Sequence, residues 1–292
     1  MDYMIENDFL KVTITSFGAQ IKSVVRKCDG VEHMWQGDPL VWKYHSPVLF
    51  PYAGRVKDGR IQIRGNTIEN APAHGVVRTQ EHELVEQTHD RLTMALNANE
   101  NTMAIFPYRF RFLSTFRLEN DALFHTLTVV NTDDESFHFG IGYHPGFAIP
   151  FDKNHEIEDY ELRFSHLESP ICLDTPSGLL NGKYYCFGNN IRSIPISDGM
   201  FDVGSHCMVS LRSETLGLYE KGSGRGVVCT IDQFPYCLIW STEGKPQFVC
   251  IEPWHSLPSR ETDSYDWNEK AAAATIAPSE SWSTTMKTEF VR

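Results

Sequence analysis

No apolar run in this 292-residue chain approaches the ~20 residues that a helix needs to cross a bilayer. The opening residues, Met1-Asp2-Tyr3-Met4-Ile5-Glu6-Asn7-Asp8, carry acids where a secretory signal would carry bases. Together these absences predict a cytoplasmic protein with no membrane partner. Positive charge is also scarce. The 26 Lys and Arg stand against 38 Asp and Glu, and the net charge of −12 argues against a nucleic-acid partner. The seven cysteines are odd in number and include no C-x-x-C pair, so neither a disulfide framework nor a zinc knuckle is suggested. There is no P-loop and no Gly-rich dinucleotide fingerprint, so no organic cofactor is expected. The one Gly-Ser-Gly, Gly222-Ser223-Gly224, reads as a turn between strands. Internal repeats and low-complexity linkers are missing as well, and residues 1–292 are read as a single domain.

Helical periodicity is nearly absent too. What fills the chain instead is strand-length segments of alternating character, broken by Gly, Pro, Asn and Asp. Phe9–Ile14, Ile21–Arg26, Glu83–Gln87, Leu92–Leu96, Arg109–Glu119 and Ala122–Asn131 read as strands, and Arg60–Gly65 with Asn66–Glu69 as a tight hairpin. Tyr160–Ser165, Met208–Arg212, Leu216–Glu220, Gly226–Ile231, Leu238–Ser241, Phe248–Ile251 and Trp282–Phe290 continue the pattern. Two short helices are expected. One starts at Asp38-Pro39, with an N-cap Asp and an N1 Pro, and the other spans Tyr265–Ala274. Many strands without β-α-β alternation predict an all-β protein, a large antiparallel β-sandwich of two packed sheets.

Three positions point to chemistry. In Phe248-Val249-Cys250-Ile251-Glu252-Pro253-Trp254, an apolar strand runs into Glu252, and Pro253 is expected to end the ladder. A carboxylate there loses hydration, which raises its pKa toward the range of a general base. An acid standing free in solvent at a strand end is the plainer reading of that position alone. His74, in Ala71-Pro72-Ala73-His74-Gly75, and His144, in Gly142-Tyr143-His144-Pro145-Gly146, each lie where Gly or Pro breaks a strand. Histidine titrates near neutrality, so either can move a proton with little tuning. No short ligand spacing joins the histidines, and no metal is expected.

Further motifs precede these positions: Ile14-Thr15-Ser16-Phe17-Gly18-Ala19-Gln20-Ile21, His33-Met34-Trp35-Gln36-Gly37-Asp38-Pro39 with Trp42, and Pro47-Val48-Leu49-Phe50-Pro51-Tyr52-Ala53-Gly54-Arg55. With His74-Gly75, Gly142–Phe147 and Ile251–Trp254 after them, the ordered set resembles the aldose 1-epimerase, or galactose mutarotase-like, family, most nearly its LacX-type branch, and the likeness runs nearly end to end. It implies a supersandwich with a site on one concave face. It implies Glu252 as catalytic base, His144 as catalytic acid, and His74 with Arg55 holding sugar oxygens. One stretch departs from the family. The aspartate that binds sugar hydroxyls falls in Ile196–His206, where Asp202 is the first candidate and Asp198 the second. Trp42, Trp254 and Tyr143 are candidates to stack on the apolar face of the sugar.

The expected activity is anomer exchange of a free hexose, a cofactor-free isomerisation with carboxylate base and imidazolium acid. A hexose-phosphate 1-epimerase is a close alternative and needs a cationic cluster, for which Arg55, Arg60, Arg64 and Arg78 are available. A sugar-binding or sensing protein that kept the fold without the chemistry is another. A glycosidase using Glu252 with Glu261 is a weaker one, because Glu261 lies in a polar loop. The expected partner is a small sugar, and the chain is expected to be a monomer or homodimer.

Overall fold

The cleanest period-two segments build the centre of the larger sheet. Phe110–Glu119 and Ala122–Asn131 alternate buried and less buried positions, and they pair antiparallel from Ala122↔Glu119 to Asn131↔Phe110. Alternation turns every second residue toward the partner sheet. In the computed structural model, which describes residues 1–292, this hairpin lies within nine strands. Their order is Ile191–Pro195, Tyr160–Glu168, Thr215–Glu220, Gly226–Thr230, Ser281–Val291, Ala122–Asn131, Phe110–Glu119, Arg91–Asn97 and Glu83–Gln87. Each neighbouring pair is antiparallel.

A second, eight-stranded sheet packs over it. Its order is Tyr184–Cys186, Ile171–Leu173, His206–Val209, Tyr236–Trp240, Phe248–Trp254, Gly142–Tyr143 and Val48–Leu49, with Gly146–Ala148 also paired to Phe248–Trp254. Phe112, Phe116 and Leu127 of the first sheet share one buried cluster with Ile239, Val249 and Ile251 of the second. The antiparallel sandwich expected from the strand pattern is therefore the observed fold. A three-stranded sheet (Asp2–Glu6, Leu10–Thr15, Gln20–Arg26), the Ile61–Ile63/Asn66–Ile68 hairpin and the two-stranded pair of Phe137–Phe139 with Ala274–Ile276 complete it. No helix is long and apolar enough to cross a membrane.

The two expected helices are not formed. After Asp38 the chain makes a single turn, with Val41 and Trp42 both donating N–H to the Asp38 carbonyl. Within Tyr265–Ala274, Asp266 caps only a 3-10 turn at Trp267–Glu269, and Ala274 already belongs to a strand, Ala274–Ile276, that pairs with Phe137–Phe139. Tertiary pairing overrides the helix propensity of the alanine run. The one α-helix, Glu100–Met103, was not anticipated. Asn99 caps it, accepting from Asn101 and Thr102 N–H.

Pro253 does not end its strand either. Phe248–Trp254 continues through Cys237↔Pro253 and Tyr236↔Trp254 on one side and Gly142↔Trp254 on the other. The register Gly142↔Trp254 and Gly146↔Cys250 sets Tyr143 opposite Pro253 and His144 opposite Glu252. The missing Pro253 N–H is replaced at the Tyr143 carbonyl by the Trp254 indole N–H, 3.1 Å away. This substitution keeps Glu252 inside a continuous ladder rather than at its mouth.

Candidate active site

Register and alternation together decide which side chains meet. Residues 250, 252 and 254 share one face of their strand, as do 142, 144 and 146 opposite them and 238 and 240 on the other neighbour. That face turns away from the sandwich interior and floors a cavity of about 610 Å³. His144 and Glu252 are thus a cross-strand pair, with Nε2 and Oε2 3.3 Å apart. His144 is 7% exposed and Glu252 1%. Glu252 Oε2 and His144 Nδ1 have no hydrogen-bond partner, so the floor holds two unsatisfied buried polar atoms.

Two glycines make room for the indoles beside this pair. A Cβ on Gly142 would stand 2.5 Å from Trp254 Cδ1, and one on Gly146 would stand 2.8 Å from Trp42 Cζ3. Trp42 stacks on His144 with ring centres 5.1 Å apart, and Trp240 meets the same imidazole edge-on at 5.5 Å. The aromatic wall excludes water from one side of the histidine.

His74 faces the pair from the opposite wall. Its backbone lies in the left-handed region, φ 66°. Its N–H donates to the Gly54 carbonyl at 2.8 Å, and its Nδ1 accepts from the Gly54 N–H at 3.2 Å. That second bond assigns the ring proton to Nε2, so neutral His74 is a donor. Its ring is edge-on to His144 at 5.3 Å and to Trp254 at 5.8 Å.

Burial disfavours every charge here. It raises the Glu252 carboxyl well above its ordinary value. It lowers the His144 imidazole to about 3, with the nearby Arg78 guanidinium adding to the effect. Burial also holds His74 well below its usual value, and the proximity of His144, Arg78 and Arg55 adds to the effect. Burial thus pushes the two groups of the pair in opposite directions, the carboxyl up and the imidazole down.

Of the residues singled out in the sequence, Glu252, His144, His74, Arg55, Asp202, Trp254 and Trp42 all line the cavity. Asp202 accepts the Gly244 N–H at 2.8 Å and borders the cavity, whereas Asp198 does not. Tyr143 is the exception. It neighbours His144, so its side chain points to the other face, into the sandwich, where its hydroxyl donates to the carbonyls of His125 and Thr284 at 2.7 and 2.9 Å. It is a core residue and does not reach the cavity. Arg60 pairs with Glu69, and Arg64 with Asp133 and Glu135, so neither joins a cationic cluster at the site. Arg78 was weighed only as one of those four arginines, yet it lines the cavity beside Arg55. It has no carboxylate partner, and its guanidinium lies 4.6 Å from the centre of the Tyr44 ring. Trp240 was missed, although its place two residues after Leu238 on a strand beside Glu252 marks it for the same face.

An antiparallel sandwich with a polar cavity on one sheet is the galactose mutarotase-like fold. The chain belongs to the aldose 1-epimerase family, whose profile matches residues 1–264. It is 29% identical over 286 residues to the chromosomal LacX protein of Lactococcus lactis subsp. lactis, covering 95% of either chain. Among solved structures it is similar to a galactose mutarotase related enzyme from Lactobacillus acidophilus. That match has a TM-score of 0.94 at 29% identity, over 100% of this chain and 98% of the other. It is also similar to a galactose mutarotase-like protein from Lactobacillus casei, with a TM-score of 0.89 at 26% identity over 99% of each chain.

Proposed function

We propose that this protein is an aldose 1-epimerase that interconverts the α and β anomers of a free hexose. The observation that carries the reading is the cross-strand contact of His144 and Glu252, 3.3 Å apart on the floor of a sugar-sized cavity, with the His74 donor opposite. Anomer exchange needs one group to take the proton of the C1 hydroxyl and another to give one to the ring oxygen. A pair sharing a single proton meets both needs. With the proton drawn onto His144, Glu252 takes the C1 hydroxyl proton while the imidazolium protonates the ring oxygen, and the C1–O5 bond breaks. After rotation about C1–C2, closure on the other face reverses both transfers and restores the pair. His74 Nε2–H donates to an oxygen on which charge builds, and Arg55 and Asp202 hold hydroxyls. The indoles of Trp42 and Trp254 offer apolar surface to the ring.

Polarimetry of freshly dissolved sugars tests this directly. Glu252→Gln is expected to slow anomer exchange by ~10²–10⁴-fold while calorimetry still detects sugar binding. Full activity in that variant removes Glu252 from the mechanism.

A second reading is favoured by the two guanidinium groups, Arg55 and Arg78, that border the cavity without a carboxylate partner. Unpaired arginines suit an anionic substituent such as a phosphate. Turnover of glucose 6-phosphate well above that of glucose, measured side by side, would select a hexose-phosphate 1-epimerase.

A further inference from the structure

Acid–base chemistry leaves one side chain beside the His144–Glu252 pair without a role. Cys250 precedes Glu252 by two residues on the same strand, so its thiol shares the face that carries Glu252 and, across the ladder, His144. It is fully buried, in a small apolar cluster with Trp35 and Phe248. A ring nitrogen of His144, the Cys250 sulfur and a Glu252 carboxylate oxygen all lie within 4.8 Å of one another. One atom of this group, Glu252 Oε2, is buried without any hydrogen-bond partner. Such an atom is costly to leave bare and is a natural place for a cation to coordinate.

We propose that His144, Glu252 and Cys250 form a latent site for a thiophilic divalent cation of the zinc class, and that filling it silences the acid–base pair. Two ligands at ~2.0–2.1 Å from a tetrahedral ion stand roughly 3.3–3.4 Å apart, close to the 3.3 Å that separates His144 Nε2 from Glu252 Oε2. The sulfur closes on the ion by a small side-chain rotation, and its proton leaves to solvent as the thiolate binds. A water from the cavity completes the tetrahedron. The nitrogen, oxygen and sulfur donor set excludes magnesium and calcium, which take oxygen shells. Once the ion holds the imidazole nitrogen and the carboxylate oxygen, neither is free to accept or give a proton. Binding itself is independent of the proposed activity. Only the silencing rests on it.

Cobalt(II) titration of the intact protein tests the site, because a cobalt–thiolate bond adds a near-ultraviolet charge-transfer band. One cobalt per chain with that band is expected in the wild type, displaced by zinc and unaffected by magnesium. The band is expected to vanish in Cys250→Ser and Cys250→Ala, both of which retain the exposed thiols of Cys28 and Cys186. In the mutarotation assay, zinc is expected to inhibit the wild type reversibly, with EDTA restoring the rate, and both variants are expected to need at least ~10-fold more zinc. No band in the wild type, a band that survives in the Cys250 variants, or equal zinc sensitivity in all three proteins overturns the proposal. A Cys250-dependent band in a protein with no mutarotase activity would uphold the site and refute the proposed function instead.

Discussion

His125 offers a test of how burial sets the acid limit of this fold. The residue lies between the sheets, 2% exposed, stacked on Phe116 at 4.2 Å and edge-on to Tyr143 at 5.2 Å, with Nε2 unpartnered. Burial lowers its imidazole to about 3 in the folded protein. An unfolded chain binds that proton near pH 6.5. The folded value is depressed, so the stabilising contribution is complete above pH 6.5 and is lost as the pH falls toward 3. At pH 5 the unfolded histidine is almost fully protonated and the folded one is neutral. The difference is worth about 2 kcal/mol per histidine relative to pH 7. His33 and His82, each lowered to about 4 by burial, and His144 contribute in the same direction. The buried histidines together should therefore cost several kcal/mol between pH 7 and pH 5, opposed by Glu252, whose raised carboxyl stabilises the fold as the pH falls. His125→Phe keeps an aromatic ring in the slot and leaves the backbone carbonyl that receives the Tyr143 hydroxyl. Urea unfolding of both proteins at pH 7 and pH 5 should show the variant losing about 2 kcal/mol less across that interval. An identical loss in the two proteins would refute the claim that neutral burial of His125 opposes acidification.

Other outcomes follow from the cavity. His74→Ala should lower kcat by ~10–100-fold with a smaller change in KM, since the lost donor acts on developing charge, and polarimetry at saturating sugar reads this. The pair is competent while it holds one proton, and burial moves Glu252 up and His144 down, to about 3. The kcat/KM profile should therefore be flat through neutrality, and limbs at the ordinary glutamate and histidine values would contradict that picture. Gly146→Ala should push Trp42 off His144, costing roughly 1–3 kcal/mol of stability and lowering activity, as read by chemical denaturation and polarimetry.

Much of this arrangement was legible in the chain because alternation is a local signal. Glu83–Gln87 and Ala122–Asn131 have in the structure the bounds read from the sequence. The cavity residues carried by motifs, Glu252, His144, His74 and Arg55, do converge. Val48–Leu49 and Gly142–Tyr143 were invisible as strands because two residues hold no period. The alanines after Lys270 misled through intrinsic propensity, which yields to pairing with Phe137–Phe139. Tyr143 was misplaced although the information was present, since period two forbids adjacent strand residues from sharing a face. The upward shift of Glu252 was legible from its apolar strand, but the burial that lowers His144 was not, because it depends on residues far away in sequence, including the turn that carries Trp42.

The partners of the central pair hang from neighbouring rungs of one sheet, and their spacing is a property of the backbone lattice. Segments around the rim, such as the one bearing Asp202, can lengthen, shorten or change composition without altering the gap between imidazole and carboxyl. A lineage built on this scaffold is free to exchange one sugar for another while the proton-handling unit stays mechanically constant.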